Sequence, residues 1–377
     1  MNPHDVAMKS FPLSQKGDTG RFCGATKKIG LFDVDSQMRQ LIVNADDFGA
    51  DAYRNQGIAE AVDAGVVTSV SLLVNGPAFD DALARLPAWQ DRGVSVGLHV
   101  NLSEGEPVCK GLAVLPDEHG CFLGKSSAHK LLMQKGNKEL EREVAREIEA
   151  QIGLLESKAI RISHLDGHQH VHIFPAVIAA AVGAAQRHGI AWLRIPEETV
   201  LVPPAFGEEE FPHRAHERSA FQNPGSPSFN KDTLLNTSAL ISGDSSWPDH
   251  LPDCSETNYN YMVVLRREAA MFSRLAAAAR PFLQDSGVRT TDHFRGLYAK
   301  GRLSLAFLEN LLSKLPHGLT ELMAHPGRAP AGPGQGPFSA FSNMNREEEL
   351  DVLLDPILLK VLKEKGAFLT PFPEIQL

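Results

Sequence analysis

Cysteine is scarce in this 377-residue chain: Cys23, Cys109, Cys121 and Cys254 form no C-x-x-C pair and no zinc-finger spacing. That excludes a disulfide scaffold and a thiolate metal centre, and it points to reduced thiols. Long apolar runs are missing too. The longest, around Val177 to Ala185, falls well short of the ~20 residues that cross a bilayer. The first forty residues show no basic start followed by an apolar core, so no secretory leader is expected. Nor is there an excess of basic charge. With 37 Lys and Arg against 46 Asp and Glu the formal charge is −9, which argues against a general nucleic-acid binder. The expectation is a cytoplasmic protein with no nucleic-acid partner and no membrane span. Scattered acidity serves solubility and excludes no neutral sugar.

What is present is core material. Hydrophobic residues make up 43% of the chain and charged residues 22%, enough for one large domain or two modest ones. Residues 1–39 are polar and aperiodic, which predicts a flexible extension. From Leu41 onward strand and helix patterns alternate. A helical stretch from Asn55 to Ala64 stops at Gly65, before a strand at Val66 to Val74. Apolar residues at Leu140, Val144, Ile148, Ile152 and Leu155 predict a helix over 138–158 with a charged outer face. An Ala-rich helix from Pro175 to His188 precedes a strand at Ala191 to Ile195. Helical patterns follow at Arg266 to Phe282, Leu303 to Leu315 and Arg346 to Lys365. The alternation predicts a largely parallel sheet, open or closed. Residues 203–258, rich in Pro, Gly, Ser and Asn, break it and read as an insertion, a lid or a surface excursion.

Four short β-prone runs end in polar clusters: Asn44-Ala45-Asp46-Asp47-Phe48-Gly49, Gly97-Leu98-His99-Val100-Asn101, His164-Leu165-Asp166-Gly167-His168-Gln169-His170 and Met323-Ala324-His325-Pro326-Gly327. In a parallel sheet the carboxyl ends of strands share one face, so these groups can meet around one substrate or ion. For Asp46-Asp47 the competing reading is a helix N-cap. His164, Asp166, His168, His170 and His172 are evenly numbered and would line one face of an extended chain, though Gly167 can bend the path. So many ionisable groups on one face need a metal, partners or water. Read alone, His325 is a ligand, a general acid or an anchor for its loop. Carboxylates and imidazoles gathered in this way point to a mononuclear metal hydrolase.

Together these motifs, with Leu102, Val171-His172 and Glu321-Leu322, resemble the YdjC-like carbohydrate deacetylases, which include chitooligosaccharide deacetylase. The likeness runs from about Leu41 to the C-terminus and is weak over 203–258. Asp292-His293-Phe294-Arg295-Gly296 with Gly301-Arg302-Leu303 looks most like the branch linked to hopanoid biosynthesis. The resemblance implies an α/β fold, an irregular (β/α) TIM-like barrel over 40–377, while the loop-rich segment inserted around 203–290 departs from the family and leaves substrate selection open. It implies Asp47, His99 and His168 as metal ligands, Asp46 as catalytic base and His325 as charged proton donor. Asn44, His164, Asp166, His170 and Arg194 would bind substrate or support these groups. The implied reaction removes an N-acetyl group from an amino-sugar carbohydrate or glycoconjugate by way of metal-activated water. The family's usual ion is Mg2+, while two imidazoles and a carboxylate suit Zn2+ on softness grounds. A homodimer is implied as well. Two rivals remain: a non-haem iron oxygenase built on the His164-Leu165-Asp166 pattern, and a catalytically silent carbohydrate-binding barrel.

Overall fold

A computed structural model describes residues 38–198, 258–330, 336–339 and 344–374. The expected extension up to residue 37 and the Pro/Gly-rich stretch 203–257 lie outside the described residues. The first strand, β1 (Arg39–Phe48), is buried from Leu41 onward on both faces. This is the mark of a central parallel strand covered on both sides. Helix α1 (Ala52–Asp63) starts at Asp51, whose carboxylate accepts the Arg54 N–H. The cap is therefore Asp51, and Asp46 and Asp47 belong to the strand end. Gly65, at φ +75°, turns the chain towards β2 (Ser69–Leu72).

Two short helices, α2 (Phe79–Leu83) and α3 (Leu86–Asp91), lead into β3 (Ser95–Val100). Helix α4 (Lys125–Leu132) had no clear sequence signal, whereas α5 (Lys138–Ser157) falls where its apolar spacing placed it. Its acidic residues are not all on an outer face: Glu143 and Glu147 are buried. Glu143 accepts the N–H groups of Ala113, Val114 and Leu115, and Glu147 those of Val108 and Cys109. They hold the long β3–α4 connection against the helix.

The His-rich segment departs from the expected extended strand. Strand β4 (His164–Gly167) is only four residues long, and His168–Ile173 coils into a tight 3-10 turn with Gln169 and His170 in left-handed backbone. A side chain at Gly167 would strike the His172 ring and backbone, so the reversal needs glycine there. Helix α6 (Ile178–Arg187) and a two-residue β5 (Trp192–Leu193) follow. Of the segment expected to be loop-rich to 290, residues 258–286 form the long helix α7 (Asn258–Ser286), which contains the helical pattern read from Arg266 to Phe282 and extends it at both ends. Its buried residues Ala269, Phe272, Ala276, Ala279 and Leu283 recur at three and four, one apolar stripe on the core.

The chain closes with β6 (His293–Arg295), α8 (Leu305–Ser313), β7 (Gly318–Ala324), α9 (Met344–Leu354), α10 (Ile357–Glu364) and β8 (Ala367–Leu369). The single helix predicted over 346–365 is thus split, at Asp355-Pro356, where a proline cannot continue the preceding turn.

The strands run β5-β4-β3-β2-β1-β7-β6, all parallel, with β8 paired to the start of β1. The sheet curls. Arg289, just before β6, bridges to Trp192 in β5, with Leu193 N–H on the Arg289 carbonyl at 2.8 Å. The fold is therefore α/β with a curled parallel sheet, its outer strands short, and the carboxyl ends of β1, β3, β4 and β7 turned to a common interior.

Candidate active site

The site begins with an irregularity in β1. Ala45 pairs with Val70 and Phe48 with Leu72, so three steps on β1 oppose two on β2. The extra residue is a bulge, and Asp47 sits in it at φ +66°. On a regular strand, adjacent acids point to opposite faces. The bulge brings both into one cavity. Holding a non-glycine residue there costs about 1–3 kcal/mol, which the surrounding contacts must offset.

Those contacts are specific. Asp47 Oδ1 is 2.8 Å from His168 Nδ1 and 3.5 Å from His99 Nε2, while Arg346 of α9 hydrogen-bonds Oδ2. Burial raises the Asp47 carboxyl, but His168 and Arg346 outweigh it and hold the group well below the usual carboxylate range. On the far side of His99, Nδ1 lies 2.8 Å from Asp166 Oδ1. Burial pulls the His99 imidazole down, yet Asp166 and Asp46 prevail and raise it to about 10.

Arg194, just past β5, ties the carboxylates together. Its two terminal nitrogens lie 2.7 Å from the two Asp46 oxygens, and Nη2 is 2.8 Å from Asp166. Nε donates to Glu321 at 2.8 Å. Asn44 donates to Asp46, and Ser71 to Asp166, at 2.8 and 2.6 Å. Arg194 is 1% exposed, so it supports the acids from within. A planar guanidinium with fixed donors suits such a shared position better than lysine does. Asp46, His99 and Asp166 also form a compact acidic and imidazole group, but Arg194 binds both of its carboxylates.

His168 opens the 3-10 turn. Its Nε2 lies 3.7 Å from Glu104 Oε2, and Glu104 also accepts Gln169 Nε2 and the Phe338 N–H. His325 follows β7, its backbone N–H on Glu349 of α9 at 2.6 Å. Burial, reinforced by Lys300 and Arg346, pushes the His325 imidazole well below its ordinary value. The surroundings of His325 thus favour its neutral form, so the charge expected of it as a proton donor has to be acquired. Burial likewise lifts the Glu349 carboxyl to about 7.

Asp46, Asp47, His99, His168, His170 and His325 all line one cavity of about 50 Å3, room for a few waters. The ligand atoms of Asp47, His99 and His168 lie within 4.8 Å of one another. Donors about 2.0–2.2 Å from a shared ion sit roughly 3 Å apart, so the 2.8 and 3.5 Å separations fit one divalent ion. Asp166 behind His99 supplies the carboxylate that commonly orients a metal-bound imidazole.

His164 does not join them. Its ring stacks on Phe372 with centroids 4.1 Å apart, and its Nε2 faces Ser71 at 3.2 Å. Gly97 leaves it space: a Cβ there would lie 2.2 Å from Nε2. Asp166 is taken up by Arg194, His99 and Ser71, so His164 and Asp166 form no facial iron triad. His172 is likewise structural, with Nε2 3.0 Å from the Arg194 carbonyl. The segment 292–303 supports the scaffold: Asp292 accepts the Leu319 N–H, and Gly301 donates to Glu349.

Sequence reasoning missed Arg54, Glu104, Lys300, Phe338 and Arg346, which also line the cavity. None belongs to a cluster, and each looks like an ordinary loop or helix residue. Phe338, at φ +67°, has the one visible peculiarity, and it is a backbone one.

A curled parallel sheet with buried carboxylates and imidazoles converging at its strand ends defines a class of α/β protein with a candidate divalent-metal site. Within that class the chain belongs to the YdjC-like protein family, whose model matches residues 40–364. It is 34% identical over 354 residues to a mouse carbohydrate deacetylase, covering 89% of this chain and 94% of the mouse protein. With the human carbohydrate deacetylase the identity is 32%, covering 89% and 91%. A solved structure from Enterococcus faecalis V583, assigned provisionally to cellobiose-phosphate cleavage, superposes with a TM-score of 0.58 at 21% identity, covering 89% of this chain and 98% of that one. That likeness bears on the fold alone.

Proposed function

We propose that this protein is a metal-dependent carbohydrate deacetylase that hydrolyses the N-acetyl group of an amino-sugar carbohydrate or glycoconjugate. The observation that carries the reading is the convergence of Asp46, Asp47, His99, His168 and His325 on one cavity. The kinship with carbohydrate deacetylases supplies the substrate class. Asp47, His99 and His168 would hold one divalent ion, which when bound polarises the acetyl carbonyl and lowers the pKa of water. Mg2+ is the family expectation and Zn2+ the alternative. The whole would form one irregular (β/α)-barrel domain over 40–377, preceded by an extension over 1–39, acting as a homodimer.

Asp46 is the base. Its two oxygens are fixed by Arg194 and Asn44, so the carboxylate is oriented before substrate arrives, and it removes the proton of the attacking water. Asp166 holds His99 through Nδ1, which fixes the tautomer and turns Nε2 to the cavity. His325 is the acid towards the departing amine. Because burial, Lys300 and Arg346 favour its neutral form, it would first acquire the proton that it delivers. Burial of the cavity walls excludes bulk water and strengthens each charge interaction.

The silent-barrel alternative is not favoured, because a binding protein has no need of a buried acid pair and an imidazole lining one cavity. The test is a pair of variants. Asp46→Asn is expected to retain metal while acetate release falls about 10²–10⁴-fold. His168→Ala is expected to lose both metal and turnover. An Asp46→Asn enzyme of normal speed would remove this acid from the scheme.

A further inference from the structure

We propose that Arg346 is a positioning residue that occupies Asp47 Oδ2 and so reserves Oδ1 as the single oxygen offered to a divalent ion. This inference rests on the reading of Asp47, His99 and His168 as the ion's holders. The two oxygens of Asp47 have different neighbours. Both imidazoles address Oδ1, His168 Nδ1 at 2.8 Å and His99 Nε2 at 3.5 Å. Oδ2 takes the Arg346 guanidinium. A carboxylate can bind an ion through one oxygen or two, and a hydrogen-bonded charged donor on one of them decides the matter.

Arg346 is itself held in place. It is 1% exposed on α9, and its carbonyl accepts the N–H of Gly327, two residues after His325. One turn further along the same helix, Glu349 accepts the backbone N–H groups of His325 and Gly301. Residues three apart on a helix share a face. The face of α9 that fixes the oxygens of Asp47 therefore also fixes the loop that carries His325. Helix α9 acts as a clamp joining the end of β1 to the end of β7.

The readout is the visible absorption of protein loaded with Co2+, whose intensity falls as coordination number rises. Metal-free wild type, Arg346→Met and Arg346→Lys are each titrated with Co2+, with thermal unfolding of the metal-free forms as the fold control. Wild type is expected to bind one ion with intense bands. In Arg346→Met the freed Oδ2 joins the ion, so the bands weaken several-fold and affinity changes about 10–100-fold. Arg346→Lys, which keeps the charge and loses the fork, is expected to fall between them, and it serves if the Met variant does not fold. Superimposable spectra for wild type and variants would overturn the positioning role and leave the ligand set standing. Tighter binding with an unchanged spectrum would overturn it too, since Arg346 would then compete with the ion. A wild type that binds no Co2+ would overturn the ligand set and this inference together.

Discussion

At the scale of single residues, His99 links the site to pH. Its imidazole keeps a proton up to about 10, because Asp166 and Asp46 outweigh burial. A metal ion takes only the neutral form, so binding must expel that proton. Metal affinity is expected to rise about tenfold per pH unit between neutral and mildly alkaline pH. Isothermal titration in buffers of different ionisation enthalpy will count the released protons, and a pH-independent affinity would contradict the assignment. The same raised value makes His99 stabilise the metal-free fold below its ordinary pKa of ~6.5, a contribution lost as pH climbs through about 10. Gly97 makes a second residue-level case. Gly97→Ala puts a methyl 2.2 Å from the His164 ring, so a loss of about 1–3 kcal/mol is expected by urea unfolding. At this scale the sequence revealed the clustered groups, because a polar residue ending an apolar strand is unusual. It hid Arg346, Glu104 and Lys300, since a lone charge on a helix or loop reads the same whether it is solvated or faces a cavity.

At the scale of elements, what decides function is where regular structure fails. The bulge at Asp46-Asp47 arises from the register between β1 and β2, a tertiary fact with no local signature. The turn at His168 replaces an expected strand, and with it the idea of five side chains on one face. Only His168 and His170 of that series line the cavity, while His164 and His172 brace the scaffold. Helix α5 was legible from its apolar spacing, but its buried glutamates were not, because burial of Glu143 and Glu147 depends on a loop folding over them. Glu143→Ala leaves three backbone N–H groups without their acceptor. A loss of about 2 kcal/mol or more is expected in chemical denaturation. If Ala113, Val114 and Leu115 keep their hydrogen-exchange protection in this variant, the glutamate is not their anchor.

At the scale of the whole molecule, alternation of strands and helices made the parallel α/β fold readable, and the four strand ends gave the family. The curl of the sheet was not readable. It depends on short outer strands and on a single bridge from Trp192 to Arg289, too brief to leave a pattern. Among the described residues no helix is long and apolar enough to cross a membrane, consistent with the absence of long apolar runs. The net charge of −9 is not spread evenly. The cavity sets Arg54, Lys300 and Arg346 beside Asp46, Asp47 and Glu104, so it is locally less negative than the chain as a whole. Acetate release from N-acetylglucosamine oligomers and amino-sugar glycolipids, measured before chelation, after it, and after return of Mg2+ or Zn2+, tests the central claim most directly. Release that stops on chelation and returns with one of these ions is the predicted result, and release that continues unchanged in the chelated protein would contradict the account.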